Sequence, residues 1–491
     1  MTAVASGTAI GTVVPETAAT RPRLAWLRER GMGASVLVAA LAAAFGVFLV
    51  EVTAYIGAVL QADPFIGDSE TLAIVVIILS VLLTGVAMYV AAVVTANTFS
   101  TIITGRTRRI ALMRLIGASA RSQRAEVTGQ GFVVGVIGAA IGLVVGLALS
   151  GLGMLIGQSL MPSVPESVTL AQPGIALPVI GVALTTWLAA YIGSRRVLTV
   201  TPLQALGGSV ERTRDEVADR RGKHVGALVL LLIGAALLAA GVVIGLITPL
   251  GVIVAFFGGV FSFTGIVTGA ALFMPPVLRL VGRLFGKGAT ARLAAENALR
   301  YPERSSRMAI GVVMGVALVT MFAVALESSK ALMMRQTDDV PSDFFAPMDA
   351  FANIMMVLVA VSAVIAAVGL VNLLTIGVVQ RRRELGLLRA IGLTGAQVRR
   401  MVLLEAVHIT VAATLTGLVL GVVYGWIAAQ SLLGAVPVLP SFEPAGFVYP
   451  AVPWMPVAAI VVATALLTVI AAVTPTRLAT RVAPVEALAA D

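Results

Sequence analysis

Long apolar runs divide this chain, and a helix needs about 20 consecutive apolar residues to cross a bilayer. Ten such runs lie at 34–60, 71–97, 128–155, 173–193, 225–247, 251–277, 308–327, 350–378, 402–430 and 453–474. Only 12% of the residues are charged, about half the share found in soluble domains. The runs therefore predict an all-α polytopic membrane protein with about ten transmembrane helices. A break at Thr248 and Pro249 predicts a tight hairpin between the fifth and sixth.

The connections between the runs differ sharply in charge. Lys and Arg are concentrated in 106–124, 195–223, 279–307 and 381–400. The other connections are nearly free of them; these are 61–70, 156–172, 328–349 and 431–452. Positive loops stay on the cytoplasmic side, so we expect both termini in the cytoplasm and a multi-pass protein of a bacterial cell membrane. This also explains the net charge of +10 without nucleic acid as a partner.

The chain contains an internal repeat. The segment from Asn97 to Gly117 matches the segment from Asn372 to Gly392 without a gap, at an offset of 275 residues. Several identical residues coincide: Asn97 with Asn372, Arg106 with Arg381, Arg114 with Arg389, and Gly117 with Gly392. Pro202–Leu206 and Pro484–Leu488 close the two copies in the same way. A duplicated transmembrane unit follows.

The repeat predicts four regions of the chain. They are a cytoplasmic segment at 1–33, a first repeat at 34–210, a linker and connecting hairpin at 211–285, and a second repeat at 286–491. Each repeat has four apolar runs, and two more runs lie between them. Since this connector has an even number of spans, the repeats run parallel and predict a pseudo-two-fold axis along the membrane normal.

A basic amphipathic segment follows the second span of each repeat. Arginines alternate there with apolar residues at helical spacing, and Gly117 and Gly392 stand at good positions for helix C-caps. The candidate docking residues are Arg106, Arg109, Arg114 and Gly117, with Arg381, Arg382, Arg383, Glu384, Leu388, Arg389 and Gly392. One interpretation is a helix that only anchors the protein to anionic headgroups. The other is a pair of docking sites for a symmetric partner.

The residues Arg381–Arg400, with Leu404, Glu405 and Ala406 after them, resemble the FtsX/MacB-like permease domain of ABC transporters. Leu293–Arg304 is similar to the amphipathic helix before that family's first span, and Val482–Leu488 to its usual ending. The resemblance implies a ten-span duplicated permease that pairs with a dimer of separately encoded ATPase subunits. It further implies that Arg381–Gly392 contacts the ATPase, as does Arg106–Gly117.

The first copy departs from this pattern. Arg109 stands where the second copy has Glu384, and Gln130 where it has Glu405. These differences predict unequal contacts with the two ATPase subunits. The loops after the first and seventh spans have about 10 and 22 residues, which is too short for a domain. A role that needs a large external platform is therefore not expected.

The sequence does not predict catalysis or a bound cofactor. The nearest approach to a P-loop, Gly282–Gly288, has too few residues between its glycines and no hydroxyl after the lysine. We therefore expect ATP and Mg²⁺ to bind only in the partner subunit. The chain has no cysteine and only two histidines, so no metal site is predicted.

A few polar residues lie in or beside the spans. Glu51 and Glu327 follow the first apolar stretch of each repeat. They are interpreted either as acids in the outer headgroup region or as a pair at an outer mouth that meets substrate. Asn97 and Asn372 either bond across the axis or cap local backbone. His408 is interpreted as a hydrogen-bonded residue of a helix face.

These features predict that ATP-driven motion of the partner moves the two halves against each other, and that a hydrophobic or amphiphilic peptide, lipid or drug-like molecule is exported or extracted. Two alternatives stay open. One is an ATPase-driven signalling or sensing protein that moves no substrate. The other is an ion-coupled secondary carrier, which the scarcity of charges in the spans disfavours.

Overall fold

Helices account for nearly all of the described structure. In the computed structural model, residues 32–61, parts of 77–96, 107–160, 172–195, 221–284, 288–334, 382–438 and 443–481 are described. The helices are α1 (Met32–Gln61), α2 (Thr107–Leu115), α3 (Ala120–Leu160), α4 (Ala176–Gly193), α5 (Arg221–Gly245), α6 (Gly251–Thr268), α7 (Ala270–Gly282), α8 (Ala289–Arg300), α9 (Pro302–Met334), α10 (Arg382–Ala390), α11 (Gly395–Leu433) and α12 (Trp454–Arg481). A 3₁₀ turn at Pro173–Ile175 precedes α4, and two short strands, β1 (Pro437–Val438) and β2 (Glu443–Pro444), precede α12.

The predicted all-α membrane fold is confirmed. Seven helices of the described ranges are long and apolar enough to cross a bilayer, namely α1, α3, α4, α5, α6, α9 and α11. The apolar part of α12, Trp454–Ile470, is shorter. The predicted span at 350–378 lies outside the described residues, and that at 71–97 is described only in short helical pieces.

The prediction for 251–277 is wrong at its C-terminal end. The helix α6 stops at Thr268, and Gly269 adopts φ −94° and ψ 12°. A separate helix, α7, follows and contains Pro275 and Pro276. A proline in a helix removes a backbone donor and bends the chain, so continuous hydropathy here conceals two helices. The predicted hairpin between α5 and α6 is confirmed, with its turn at residues 246–250.

Glycines bring two long helices close together in each repeat. In the first repeat, a Cβ on Gly146 of α3 would lie 2.7 Å from Val47 Cβ of α1. In the second, a Cβ on Gly425 of α11 would lie 2.5 Å from the carbonyl oxygen of Met321 on α9. Small residues permit such close backbone approach between helices in lipid, where burial of apolar surface contributes little. A stripe of small residues at four-residue spacing is therefore the main contact of each repeat.

The two crossings are copies of each other. Gly142 lies over Ala40 and Ala43, whereas Gly417, 275 residues later, lies over Val313 and Val316. Ala40 and Val313 are 273 residues apart, so the first spans correspond at 273 and the long helices at 275. The same register relates Gly146 over Val47 to Gly421 over Thr320. This register could not be read from the sequence.

The two repeats meet through their first spans. A buried cluster joins Phe45, Phe48 and Leu49 of α1 to Leu318 of α9, with Met321 and Phe322 packed against it. At the 273-residue offset these are corresponding positions: 45 with 318, 48 with 321, and 49 with 322. Contact between corresponding residues is what a two-fold axis produces. The parallel arrangement of the halves is thus visible in their packing.

The connecting hairpin of α5 and α6 packs on the second repeat. A Cβ on Gly245 would lie 2.7 Å from the carbonyl oxygen of Ser431. The hydroxyls of Ser262 on α6 and Tyr424 on α11 are 2.9 Å apart. On its other side α6 contacts the partly described second span, where Tyr89 Oη lies 2.9 Å from Thr264 Oγ1. The connector therefore makes the described structure asymmetric about its pseudo-two-fold axis.

The loop between α11 and α12 folds back over the end of α11. The strands β1 and β2 pair antiparallel, Pro437 opposite Pro444. The amide of Gln430 donates to the Gly446 carbonyl at 2.7 Å, and its oxygen accepts from the Val448 N–H at 2.7 Å. The indole of Trp426 donates to the Val448 carbonyl at 2.8 Å. These bonds satisfy the irregular backbone of the loop, which polar groups near lipid require.

Candidate functional site

The two basic segments form structurally equivalent elbows. Each elbow is a short helix, a reversed turn and the start of a long helix: 107–127 is the first elbow and 382–402 the second. The turns depend on Gly117 and Gly392, at φ +102° and +109°. Backbone in this region favours glycine, because a Cβ there meets its own carbonyl. The prediction that these glycines end the helices is confirmed.

The hydrogen bonds of the two turns coincide at the 275-residue offset. In the first elbow, Gly117 N–H donates to Arg114 O at 3.2 Å and Ala118 N–H to Met113 O at 2.9 Å. In the second, Gly392 N–H donates to Arg389 O at 3.2 Å. There the last bond runs from the next amide, of Leu393, to Leu388 O at 3.0 Å. This pair of bonds defines the Schellman motif, which closes a helix and sets the direction of the chain that leaves it.

A capping residue then starts each long helix. Thr394 Oγ1 accepts from the Gln397 N–H at 3.2 Å, and the Gln397 side chain accepts from the Thr394 N–H at 2.8 Å. The corresponding Ser119 Oγ accepts from Ser122 N–H at 3.1 Å. The reciprocal bonds of the second elbow form a capping box. The angle between short and long helix is thus determined by backbone hydrogen bonds on both sides of the glycine.

We expect Gly392→Ala to destabilise the second elbow by about 1–2 kcal/mol, because alanine at a positive φ is strained. Gly117→Ala should do the same in the first. The measurement is the thermal unfolding midpoint of the purified protein in detergent. Gly129→Ala is the matched control, since Gly129 lies in α3 with open space around it. Equal midpoints for Gly392→Ala and Gly129→Ala would contradict the role of the turn.

Each elbow exposes apolar side chains at its tip. Ile116 is 80% exposed and Ile391, at the corresponding position, 70%. Leu112 and Leu387 correspond in the same way and are also exposed. Arg114 and Arg389 are half-buried beside them. Exposed apolar groups flanked by arginines are typical of protein interfaces.

The second elbow packs on the amphipathic helix α8. Leu385, Val398 and Met401 form a buried cluster with Ala294 of α8, and Leu388 packs against it. The sequence predicted a short helix at Leu293–Arg304; the structure divides this segment between α8 and α9 at Tyr301. The elbow is thereby attached to the first span of its own repeat.

A buried polar cluster lies under the second elbow. Glu405 of α11 is 3% exposed. Its Oε2 accepts from Asn297 Nδ2 of α8 at 2.7 Å, and its Oε1 lies 4.0 Å from Arg304 NH2 of α9. Tyr301, between α8 and α9, donates to Glu384 Oε1 at 3.5 Å. One carboxylate thus connects three helices.

The corresponding position of the first elbow is different. Gln130 is half-buried, and its amide donates along α3 to Glu126 Oε1 at 3.3 Å. Glu405, by contrast, bridges to other helices. A charged residue that needs partners and a neutral one that does not are not equivalent. The structure therefore supports the expectation that the two elbows differ electrostatically.

Two separate stretches of the chain match the same sequence family. The sequence model of the family described as FtsX-like permease C-terminal matches residues 72–202 and again 356–484. Together the two matches cover just over half of the chain. The chain belongs to the FtsX-like permease family. No curated protein matches the chain significantly.

FtsX-like permeases are membrane subunits of ABC transporters and work with ATPase subunits. Membership therefore identifies this chain as a multi-pass, non-catalytic permease subunit of that type. Each family match contains one elbow, so this FtsX-like permease has two copies of the family's unit in one chain.

Several predicted site residues of the permease cannot be placed in detail. Arg106, Arg381, Asn97 and Asn372 lie outside the described residues. The backbone of Arg109, Arg382 and Arg383 lies in α2 and α10, but their side chains are not described. Their roles stay predictions. Among the described residues, no group of three metal-ligating side chains occurs.

The two acids of the first spans are not equivalent. Glu51 is fully buried, so an exposed headgroup position is wrong for it; its Oε1 accepts from the Gln172 N–H at 3.1 Å, before α4. Glu327 is half-buried. At the 273-residue register, Glu51 corresponds to Val324 and not to Glu327. A substrate role for either acid stays a prediction.

The interpretation of His408 as a hydrogen-bonded helix residue is confirmed. Its ring is 1% exposed, and Nε2 lies 2.7 Å from the carbonyl oxygen of Leu278 on α7. This bond holds α7 against α11. The sequence did not predict the polar cluster at Glu405, although Asn297 and Glu405 both lie in motifs that carried the family resemblance.

Proposed function

We propose that this permease docks through its two elbows on a dimer of separate ATPase subunits, and that ATP hydrolysis there drives export or extraction of a hydrophobic or amphiphilic molecule. The observation that carries the proposal is the matched pair of exposed apolar tips, Leu112 with Ile116 and Leu387 with Ile391. Two equivalent patches about a two-fold axis suit a symmetric partner.

The orientation follows from the same surface. Both elbows belong to basic segments, so the proposal places them in the cytoplasm with both termini. Exposed isoleucines in water are costly unless a partner covers them. We therefore propose the cell membrane as the location, a homodimeric ATPase as the partner, and ATP with Mg²⁺ bound in that partner alone.

The long helices offer a route for the motion. With 39 residues, α11 is about 60 Å long at 1.5 Å per residue, twice the apolar thickness of a bilayer. It continues from the elbow into the crossing with α9. Because Glu405 also attaches α8 and α9, a displacement of the second elbow moves the whole helix pair.

The halves then shift against each other at the α1–α9 cluster of Phe45, Leu49 and Leu318. Such apolar contacts have no directional bonds that would hold a single arrangement. The proposal treats 34–210 and 286–491 as the two moving repeats and 211–285 as linker and connector.

Replacing Ile391 by aspartate tests the docking. We expect Ile391→Asp to weaken co-purification of the ATPase at least about tenfold, since a charge in a desolvated interface core is costly. Ile116→Asp should act similarly. The assay is pull-down of the ATPase encoded beside this gene, followed by ATPase rate in lipid nanodiscs. Leu284→Asp is the control, because Leu284 is 77% exposed beside a basic segment but outside the elbows.

Two outcomes would contradict the proposal. One is an Ile391→Asp variant that retains the ATPase as well as Leu284→Asp. The other is a complex whose ATPase rate does not change with any lipid, peptide or hydrophobic drug. The first result removes the docking site, and the second removes the transport role while leaving docking intact.

A further inference from the structure

A cavity of about 310 Å³ lies where the connector, the second repeat and the second span meet. Its walls are α6 with Phe256 and Gly259, α9 with Met321, and α11 with Tyr424, and Val86 closes it from the second span. The volume is at the lower end of the range for ligand pockets. Residues far apart in sequence form this space, so the sequence showed no sign of it.

The cavity has almost no polar surface to offer. Among its described lining residues only Tyr89, Tyr424 and Ser329 carry polar side-chain atoms. Each of these already has a partner: Tyr89 with Thr264 and Tyr424 with Ser262, both at 2.9 Å, and Ser329 with the Ala325 carbonyl at 2.8 Å. A polar ligand would lose its hydration without compensation.

The wall formed by α6 separates the cavity from the apolar outside of the protein. Phe256 lines the cavity, while its neighbour Phe257 is 50% exposed. Their rings pack edge to face with centroids 5.4 Å apart. The outward face of α6 continues with exposed Ile253 and Phe261. In a membrane these residues face lipid, so the nearest available occupant of the partly open cavity is hydrocarbon.

We propose that this cavity binds one hydrocarbon chain, either the acyl chain of a membrane lipid or the apolar tail of a transported amphiphile. An apolar cavity of this size stays dry, and a chain within it restores the lost dispersion contacts. The connector occurs once in the chain, so there is one site per permease and it lies off the pseudo-two-fold axis. The tail of a transported molecule as occupant rests on the proposed function; the lipid does not.

Gly259 allows the cavity to be filled without disturbing the fold. A Cβ at Gly259 would have no atom within 4 Å, so its substituents extend into empty space. The neighbouring Gly258, by contrast, would meet the backbone nitrogen of Leu238 at 2.6 Å. Leu232 on the same connector is 59% exposed and does not line the cavity. The variants Gly259→Ala, Gly259→Phe and Leu232→Phe therefore form a matched series.

The test is photolabelling of the purified permease, without ATPase, in a sterol-based detergent that has no alkyl chain. The probe is palmitic acid with a mid-chain diazirine, and labelled peptides are identified by mass spectrometry. We expect saturable labelling of α6 and α9 that unlabelled palmitate displaces. Gly259→Phe should lower it about tenfold because the ring overlaps the chain. Gly259→Ala and Leu232→Phe should retain it.

A second arm identifies the source of the chain. The permease is placed in nanodiscs with a trace of diazirine-labelled phosphatidylcholine. Labelling of the cavity peptides there assigns the site to membrane lipid, whereas labelling by the free acid alone assigns it to a single-chain amphiphile. Labelling that does not saturate, or that is equal in Gly259→Phe and wild type, would overturn the proposal. Because no ATPase takes part, such a failure is distinguishable from failure of the docking experiment.

Discussion

Gly421→Val is expected to prevent stable assembly of the second repeat. A Cβ at this position would lie 2.8 Å from the carbonyl oxygen of Ala317 and closer still to Thr320 Cβ. Neither atom can move without the helix that carries it. Forcing α9 and α11 apart loses the close contact that holds helices together in lipid. We expect a cost of about 3 kcal/mol, the upper range for overpacking.

The measurement is the unfolding midpoint and the monodisperse fraction of the protein extracted in detergent. Gly311→Val is the control on the partner helix, because a Cβ at Gly311 has no atom within 4 Å. Gly146→Val should reproduce the defect in the first repeat, where Val47 takes the place of Thr320. If Gly421→Val were as stable as Gly311→Val, the glycine stripe would not be the contact that holds each repeat.

Glu405→Ala should be the most damaging substitution near the second elbow. It leaves Arg304 buried without this carboxylate and removes the acceptor of Asn297. Breaking a buried ion pair by removing one partner costs about 3–5 kcal/mol. We expect loss of folded protein, or, where protein survives, loss of ATPase coupling with α8 detached from α11.

The first repeat provides the control for this substitution. Gln130→Ala removes only a bond along α3 and should change stability by less than about 0.5 kcal/mol. Glu405→Gln makes the second repeat resemble the first; it keeps an acceptor for Asn297 and should cost less than alanine. Thermal midpoints of the three variants decide the matter. Equal midpoints for Glu405→Ala and Gln130→Ala would show that the cluster contributes nothing.

Much of the architecture was predictable because it depends on local pattern. Hydropathy located every span that falls in the described residues, since a bilayer demands long apolar helices. The glycines at 117 and 392 were predicted as caps because few other residues tolerate a positive φ. The error at 251–277 has the same origin: hydropathy does not register Gly269, where the helix ends.

The candidate site was predictable only in part. The repeat located both elbows, but the exposure of Ile116 and Ile391 emerged only from the packing of their neighbours. The pairing of Glu51 with Glu327 failed because near-equal spacing is not structural equivalence; the helix crossings place Glu51 opposite Val324 in register.

The sequence by itself determined the membrane class, the order of the spans, the duplication and the two glycine-terminated elbows. Each of these depends on residues close together in the chain or on identity between copies. The tertiary structure alone decided which helix faces touch: the glycine crossings, the meeting of α1 and α9, the partners of Glu405 and the cavity beside the connector. An apolar helix in lipid has no wet face to mark its orientation, so only the fit of one helix against another selects the side that is buried.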